Sequence, residues 1–256
     1  MVKKEYKNVA ILFGRKNSEG FPRKNLFPIL DRPAVLYPIL ASYYASSVDK
    51  IFLSTDDPEL VNIAEKYDVI PLSRPKELCT SDALIEDVMQ YAFYQVKELL
   101  ESQPKYISIL LCNSCNVIAN TLDEGVEFLD YNEEYDSAIT ACKLNMYSPL
   151  RARRLTSDGF LEPFIPLDIV GNIEDLSCDR NSSGDVFFAD GGLTVVRSEF
   201  LKNVKRNLLP FRWMGNRIHL IEQIPGGSDI DDYWQVAAME AWLTKHGFTK
   251  SLTPYK

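Results

Sequence analysis

The chain has 256 residues, 46% of them hydrophobic and 25% charged, with a formal net charge of −8 at pH 7. This profile suits a globular protein with a sizeable core, and the lack of a basic stripe or tail argues against a nucleic-acid backbone as partner. No apolar run approaches the roughly 20 residues of a membrane span, and the five scattered cysteines (Cys79, Cys112, Cys115, Cys142, Cys178) do not form a secreted disulfide framework. A cytoplasmic location with reduced thiols is the expectation.

Apolar runs of strand length alternate with amphipathic stretches of helix length, the pattern of an α/β domain on a mainly parallel sheet. A strand is predicted over residues 9–13, then, after a polar loop, a helix over 34–46, a strand over 51–54 and a helix over 58–67. Asp57 is placed to cap that last helix, and Pro58 suits its first turn. Ile85, Val88, Ala92, Val96 and Leu99 recur at helical spacing within 82–100. A buried strand over 107–111, a helix over 122–129 and a strand over 137–142 follow. From about 145 to 216 the pattern gives way to scattered Pro, Gly and Asn, as in an irregular insertion or subunit-contact arm, with one strand over 193–196. A helix over 233–244 follows an acidic turn. No repeat or linker divides the chain, which reads as a single unit over 1–256.

The chemistry concentrates in two segments. The loop 14–25 (GRKNSEGFPRKN) leaves the first strand at its carboxyl end, where α/β sheets bind ligands. Gly14 and Gly20 permit close backbone approach, Asn17 and Ser18 offer hydrogen bonds, and Arg15, Arg23 and Lys24 offer charge for a polyphosphate. The loop is neither a dinucleotide fingerprint nor a P-loop, and the same composition also describes a solvated basic loop. In 228–232 (SDIDD), Asp229 and Asp231 share a face if Ile230 points inward, and two such carboxylates suit Mg²⁺. The competing reading is an acidic helix start, which accounts for Asp232 better than for Asp229.

Together these segments resemble the cytidylyltransferases that make CMP-sialic acid and related CMP-nonulosonic acids. Arg15, Ser18, Gly20, Lys24 and Asn25 match that family's A-R-x-x-S-K-G-x-x-x-K-N signature position by position. Residues 54–57 (STDD) resemble its second strand, 74–78 (RPKEL) its R-P-x-E-L segment, and 228–231 its closing D-I-D motif. The resemblance implies a Rossmann-like nucleotidyltransferase fold with a dimerisation arm, and transfer of CMP from CTP to the anomeric hydroxyl of an acidic sugar in a homodimer. It also implies that Arg15, Ser18 and Lys24 hold the triphosphate, that Asn25, Arg74 and Ala83 surround the cytidine, and that Asp229 and Asp231 carry Mg²⁺. Phe187, Phe188, Asp190 and Cys112 fall where the sugar is expected, and Arg151, Arg153 and Arg154 are candidates for its carboxylate, or are simply solvated.

The departures cluster on the acceptor side. The family's triphosphate lysine falls at Glu19, for which Lys16 or Arg23 must substitute if activity is kept. Its L-Q-P-T-S-P-L-R segment appears as 111–118 (LCNSCNVI), with Cys112 at the glutamine. Its N-G is Asp190-Gly191, and the acid six positions after Asp229 is Gln235. Two alternatives within the resemblance are a CMP-Kdo synthetase and a catalytically weakened nucleotide-binding member. A redox protein built on Cys112 and Cys115 is a third reading. His219 and His246 are too isolated to form a triad or metal cluster, and Tyr43 and Tyr44 suit a core or interface.

Overall fold

A computed structural model describes residues 4–169, 174 and 176–255. Seven strands form one sheet: β1 (Asn8–Gly14), β2 (Lys50–Thr55), β3 (Ile70–Leu72), β4 (Tyr106–Leu111), β5 (Ser137–Lys143), β6 (Phe187–Arg197) and β7 (Ile218–Gln223). Their spatial order is β7-β5-β6-β4-β1-β2-β3. β6 runs antiparallel to both neighbours, and every other pairing is parallel. Five α-helices among the described residues accompany the sheet: α1 (Leu36–Tyr44), α2 (Pro58–Ala64), α3 (Ile85–Leu99), α4 (Ala119–Tyr131) and α5 (Trp234–Lys245).

Strand alternation assigns the two faces. Ala10 and Leu12 of β1 pack with Ile39, Leu60, Leu122 and Val126 from α1, α2 and α4. Val9, Ile11 and Phe13 pack on the other face against Val88, Ala92, Phe93 and Val96 of α3. That helix carries Glu86 and Asp87 in its first turn, where carboxylates complement the helix dipole. A third cluster joins Phe21, Ile230 and the α5 residues Met239, Trp242 and Leu243. It ties the loop after β1 to the far end of the chain.

Most expected elements are present with shifted ends. The helix expected over 58–67 stops at Ala64 and tightens into one short turn, because Asp68 turns the chain in the left-handed region (φ 55°). Asp57 caps it as expected, accepting from the Glu59 N–H at 2.9 Å. Two strands, β3 and β7, were not anticipated. β7 lies at the sheet edge with only Ile221 buried, so its hydrophobic alternation is weak. The stretch 145–216, part of which (170–173 and 175) lies outside the described residues, contains the whole of β6 and an exposed hairpin pairing Arg153–Leu155 with Leu161–Pro163.

Candidate active site

From β1 the chain moves outward through β2 and β3, then returns to place β4 on the other side of β1. The carboxyl ends of β1 and β4 therefore flank the point where the winding reverses, the place at which open α/β sheets form a ligand crevice. The loop 14–25 starts there. Buried Asn25 closes it, its Nδ2 donating to the Arg15 carbonyl at 2.9 Å; the side chain expected beside a cytidine is thus spent on holding the loop. Arg15 Nη1 donates to the Thr80 carbonyl at 2.7 Å, and the Lys16 N–H donates to Asp56 at 2.8 Å. Arg23, itself left-handed (φ 59°), makes a bidentate pair with Glu59 at 3.0 and 2.8 Å. Ser18 is half-buried and Glu19 exposed.

Beside this loop is a cavity of about 210 Å³ lined by Gly14, Arg15, Arg74, Thr80 and Ala83, among others. Arg74 is held across it, Nη2 donating to the Ser54 carbonyl at 2.6 Å. Of the residues expected around a nucleotide, Arg15, Arg74 and Ala83 converge on this cavity from three separate segments, whereas Ser18, Gly20, Lys24 and Asn25 are not among its lining. Gly14 has a steric reason as well: a Cβ there would lie 2.7 Å from Cys112 Sγ.

The acidic segment meets the same loop. Ile230 is fully buried, with Asp229 half-buried and Asp231 exposed on either side of it. Lys24 Nζ forms an ion pair with Asp231, joining positions 207 residues apart, and Gly20 lies against the Asp231 carbonyl. Two residues that sequence reasoning did not assign hold the segment in place. Asn113 Nδ2 donates to the Ile230 carbonyl at 3.1 Å, while its own carbonyl accepts from the Ile230 N–H at 3.1 Å. Gln235 Oε1 accepts from the N–H groups of Asp231 and Asp232, both at 2.7 Å, and its Nε2 donates to Ser228 Oγ at 3.1 Å and the Asp229 carbonyl at 2.9 Å. Only an amide can both accept and donate in this way.

Burial, reinforced by the neighbouring Asp231 charge, pushes the Asp229 carboxyl up to about 6. A hard divalent cation would relieve both effects, so the donor set fits Mg²⁺. Among the described residues no group of three or more His, Cys, Asp or Glu could hold a metal alone. Mg²⁺ bound by one or two carboxylates characteristically completes its shell with substrate phosphates and water.

Phe188 and Asp190, expected at the sugar, line a cavity of about 320 Å³ together with Tyr147, Ser228, Trp234 and Gln235. Asp190 is buried, which raises its pKa, and it accepts hydrogen bonds from the Thr140 hydroxyl (2.5 Å) and the Gly192 N–H (2.9 Å). Phe187 alternates to the other face of β6 and is 40% exposed. Cys112 corrects an expectation: it is completely buried in the core cluster beside Leu12 and Leu60, so its side chain reaches no acceptor. Burial raises its thiol to about 12 and lifts that of Cys115 as well, the opposite of what a redox pair needs. The arginine trio lines none of these cavities; Arg151 donates to the Cys178 carbonyl and Arg154 pairs with Glu162 at 2.7 Å. Lys143 and Arg180 instead line an adjoining cavity of about 350 Å³ that shares Leu144 with the Phe188 cavity. His219 stacks on Phe128 and His246 on Trp242, both packing roles.

A family model described as cytidylyltransferase matches residues 9–140. The chain belongs to the cytidylyltransferase family. Its sequence is 25% identical to an N-acylneuraminate cytidylyltransferase of Escherichia coli over 186 residues, 72% of this chain and 42% of that protein. It is 33% identical to a pseudaminic acid cytidylyltransferase of Campylobacter jejuni over 107 residues, 41% of this chain and 44% of that one. A bifunctional pseudaminic acid cytidylyltransferase and hydrolase of Helicobacter pylori is 30% identical over 146 residues, 56% of this chain and 27% of that protein. The matched chain thus spans less than half the length of these relatives. The resemblance read from the motifs to the CMP-nonulosonic acid synthetases is borne out at the level of the family.

The fold is a Rossmann-like nucleotidyltransferase fold. A CMP:2-keto-3-deoxy-manno-octonic acid synthetase solved with CTP superposes with a TM-score of 0.66 at 14% identity, covering 93% of this chain and 99% of that one. A 4-diphosphocytidyl-2C-methyl-D-erythritol synthase gives 0.64 at 12% identity, covering 94% and 100%. At such identities the likeness concerns the fold. No helix among the described residues is long and apolar enough to cross a membrane.

Proposed function

We propose that the chain transfers CMP from CTP to the anomeric hydroxyl of a sialic-acid-like nonulosonic acid and releases pyrophosphate. The observation that carries this reading is the meeting of the cationic loop 14–25 with the Asp229–Asp231 segment through Lys24 and Asp231, beside the cavity of Arg15, Arg74 and Ala83. A triphosphate lying along the loop would have cations on one side and the carboxylates at its α-phosphate end. The hydroxyl oxygen forms its bond to the α-phosphorus as the bridging oxygen to the β-phosphate leaves with pyrophosphate, and the hydroxyl proton passes to solvent. Catalysis of such a step is alignment and charge neutralisation. Arg15, Ser18 and Lys24 hold the triphosphate, and Arg74 and Ala83 flank the base. Asp229 and Asp231 would hold Mg²⁺, whose charge offsets that gathering on the phosphate oxygens.

Arg23 is already paired with Glu59, so Lys16 is the cation that offsets Glu19. The acceptor ring lies over Ala189, Asp190 and Gly191, with Phe188 beside it and its carboxylate toward Arg180, next to Lys143, which is paired with Asp185 at 2.6 Å. The hairpin of the arm exposes Leu155, Phe160 and Leu161 by about 70% each, which supports a subunit contact and a homodimer. With free cysteines throughout the described residues, the cytoplasm is the proposed location.

Pyrophosphate release from CTP, Mg²⁺ and a panel of sugar acids tests the reading, with turnover expected for nonulosonic acids above 3-deoxy-octulosonic acid. CTP binding without turnover across the panel would favour the non-catalytic member instead. Light scattering should return a dimer, and a monomer would refute the arm's role.

A further inference from the structure

The pairing of β5 with β6 breaks at one place. Phe187, Phe188 and Ala189 pair with Lys143, Cys142 and Ala141, and the ladder resumes with Thr194 opposite Ile139. Between these pairs β5 carries Thr140 alone while β6 carries 190–193, so one residue stands opposite four. Such a bulge leaves backbone groups without ladder partners, and the buried ones must be satisfied by something else. The Thr140 side chain does this. Its hydroxyl accepts from the Leu193 N–H at 2.8 Å and donates to Asp190 Oδ1 at 2.5 Å, which lies closer than the Leu193 carbonyl at 3.4 Å. The same carboxylate oxygen accepts from the Gly192 N–H at 2.9 Å. Thr140 and Asp190 are both buried. A hydroxyl can accept and donate at one atom, which neither a methyl nor a carbonyl can do.

The bulge bears directly on Asp229. The Asp190 carbonyl accepts from the Asp229 N–H at 3.1 Å and from Asn116 Nδ2 at 3.3 Å. The next residue, Gly191, turns at φ +71°, and an added Cβ would lie 3.2 Å from the Asp229 carboxyl, so the main chain of the bulge bounds the space that this carboxyl has. Behind it, a Cβ at Gly192 would lie 2.8 Å from the Asn116 carbonyl and 3.0 Å from Thr140 Oγ1, which leaves the bulge little room to shift. Thr140 itself lines none of the three cavities described above, so its reach to the site runs through Asp190 and Gly191.

We propose that Thr140 is a positioning residue for the transfer: bonded to Asp190, its hydroxyl fixes the bulge of β6, and the bulge fixes the direction in which Asp229 presents its carboxyl to the cation. The inference rests on the cytidylyltransferase reading and adds to that site a residue outside its cavities. Bulges beside active sites commonly aim a side chain in this way.

The test compares Thr140→Val, which keeps the shape and loses the hydroxyl, with Thr140→Ser, which keeps the hydroxyl. In Thr140→Val the Mg²⁺ concentration for half-maximal pyrophosphate release should rise about tenfold or more, as when a group that orients a metal ligand is lost. The KM for CTP should stay within about twofold of wild type, because the nucleotide cavity is untouched, and Thr140→Ser should remain within about threefold of wild type throughout. Hydrogen exchange read by mass spectrometry, without metal or substrate, should be faster over 189–194 and 228–232 in Thr140→Val, with α3 and β4 as protected as in wild type. Thr140→Ala carries the same expectations if the valine variant does not fold. Unchanged Mg²⁺ dependence in Thr140→Val, equal impairment of the serine and valine variants, or faster exchange spread evenly over the sheet would each overturn the inference. Wild-type protein without turnover on any sugar acid would instead overturn the transferase reading, and the exchange comparison would still decide whether Thr140 holds Asp229.

Discussion

Gln235→Ala should weaken turnover more than it weakens the fold. The side chain makes four hydrogen bonds, all to the segment that carries Asp229 and Asp231. At about 0.5–1.5 kcal/mol net per bond the sum would be about 2–6 kcal/mol. The segment is partly solvated, with Asp231 and Asp232 exposed, so water recovers about half and roughly 1–3 kcal/mol remains. Because α5 is anchored independently by Met239, Trp242 and Leu243, most of that loss should appear as disorder of 228–232 rather than as global unfolding. A loss of about 1–2 kcal/mol in the ordered population corresponds to a fall of about 5–30-fold in rate. The assay is kcat and KM by pyrophosphate release across a Mg²⁺ titration, paired with urea denaturation. A lower kcat with CTP affinity retained and a small shift in the urea midpoint is expected. Turnover within twofold of wild type at all Mg²⁺ concentrations would refute the positioning role.

Three further outcomes are expected. Changing Asp229 and Asp231 together to Asn should abolish turnover while leaving circular dichroism and thermal stability close to wild type, and EDTA should silence the wild-type protein reversibly; turnover that persists in either case removes the metal assignment. Gly14→Ala should destabilise by about 1–3 kcal/mol, because the new methyl meets Cys112 Sγ at 2.7 Å within a closed core, and Gly14→Ala with Cys112→Ala should recover part of that loss in urea denaturation. At pH 8, iodoacetamide should label the exposed Cys178 and leave Cys112 and Cys142, whose thiols burial raises to about 12, unlabelled until the protein unfolds; mass spectrometry reads this directly, and a native Cys112–Cys115 disulfide would contradict it.

Local sequence determined a good deal of this protein. The apolar run ending at Gly14, the cationic loop after it and the Asp-Ile-Asp segment are each written in consecutive residues. Their physics is short-range: Ile230 is the apolar residue between two carboxylates and goes into the core, and an Asp-Pro pair starts α2. The α/β class followed from the same alternation. Strand direction was decided only by the tertiary structure. β6 looks like any other apolar run, yet it enters between β4 and β5 in the opposite sense, which carries Phe188, Asp190 and Gly191 to the carboxyl edge of the sheet. The edge strand β7 has too little buried surface to announce itself.

The same division runs through the site. Lys24 and Asp231 were legible one by one, but their contact across 207 positions was not. Asn113 and Gln235 stood only as departures from the family's segments, since their value lies in which backbone groups happen to face them. Cys112 was misjudged because a position in a motif does not say which way a side chain turns. In the fold it turns onto Gly14, into the space that the glycine leaves. Side-chain chemistry is a property of the residue, whereas burial and partnership belong to surfaces that meet only after the sheet has closed.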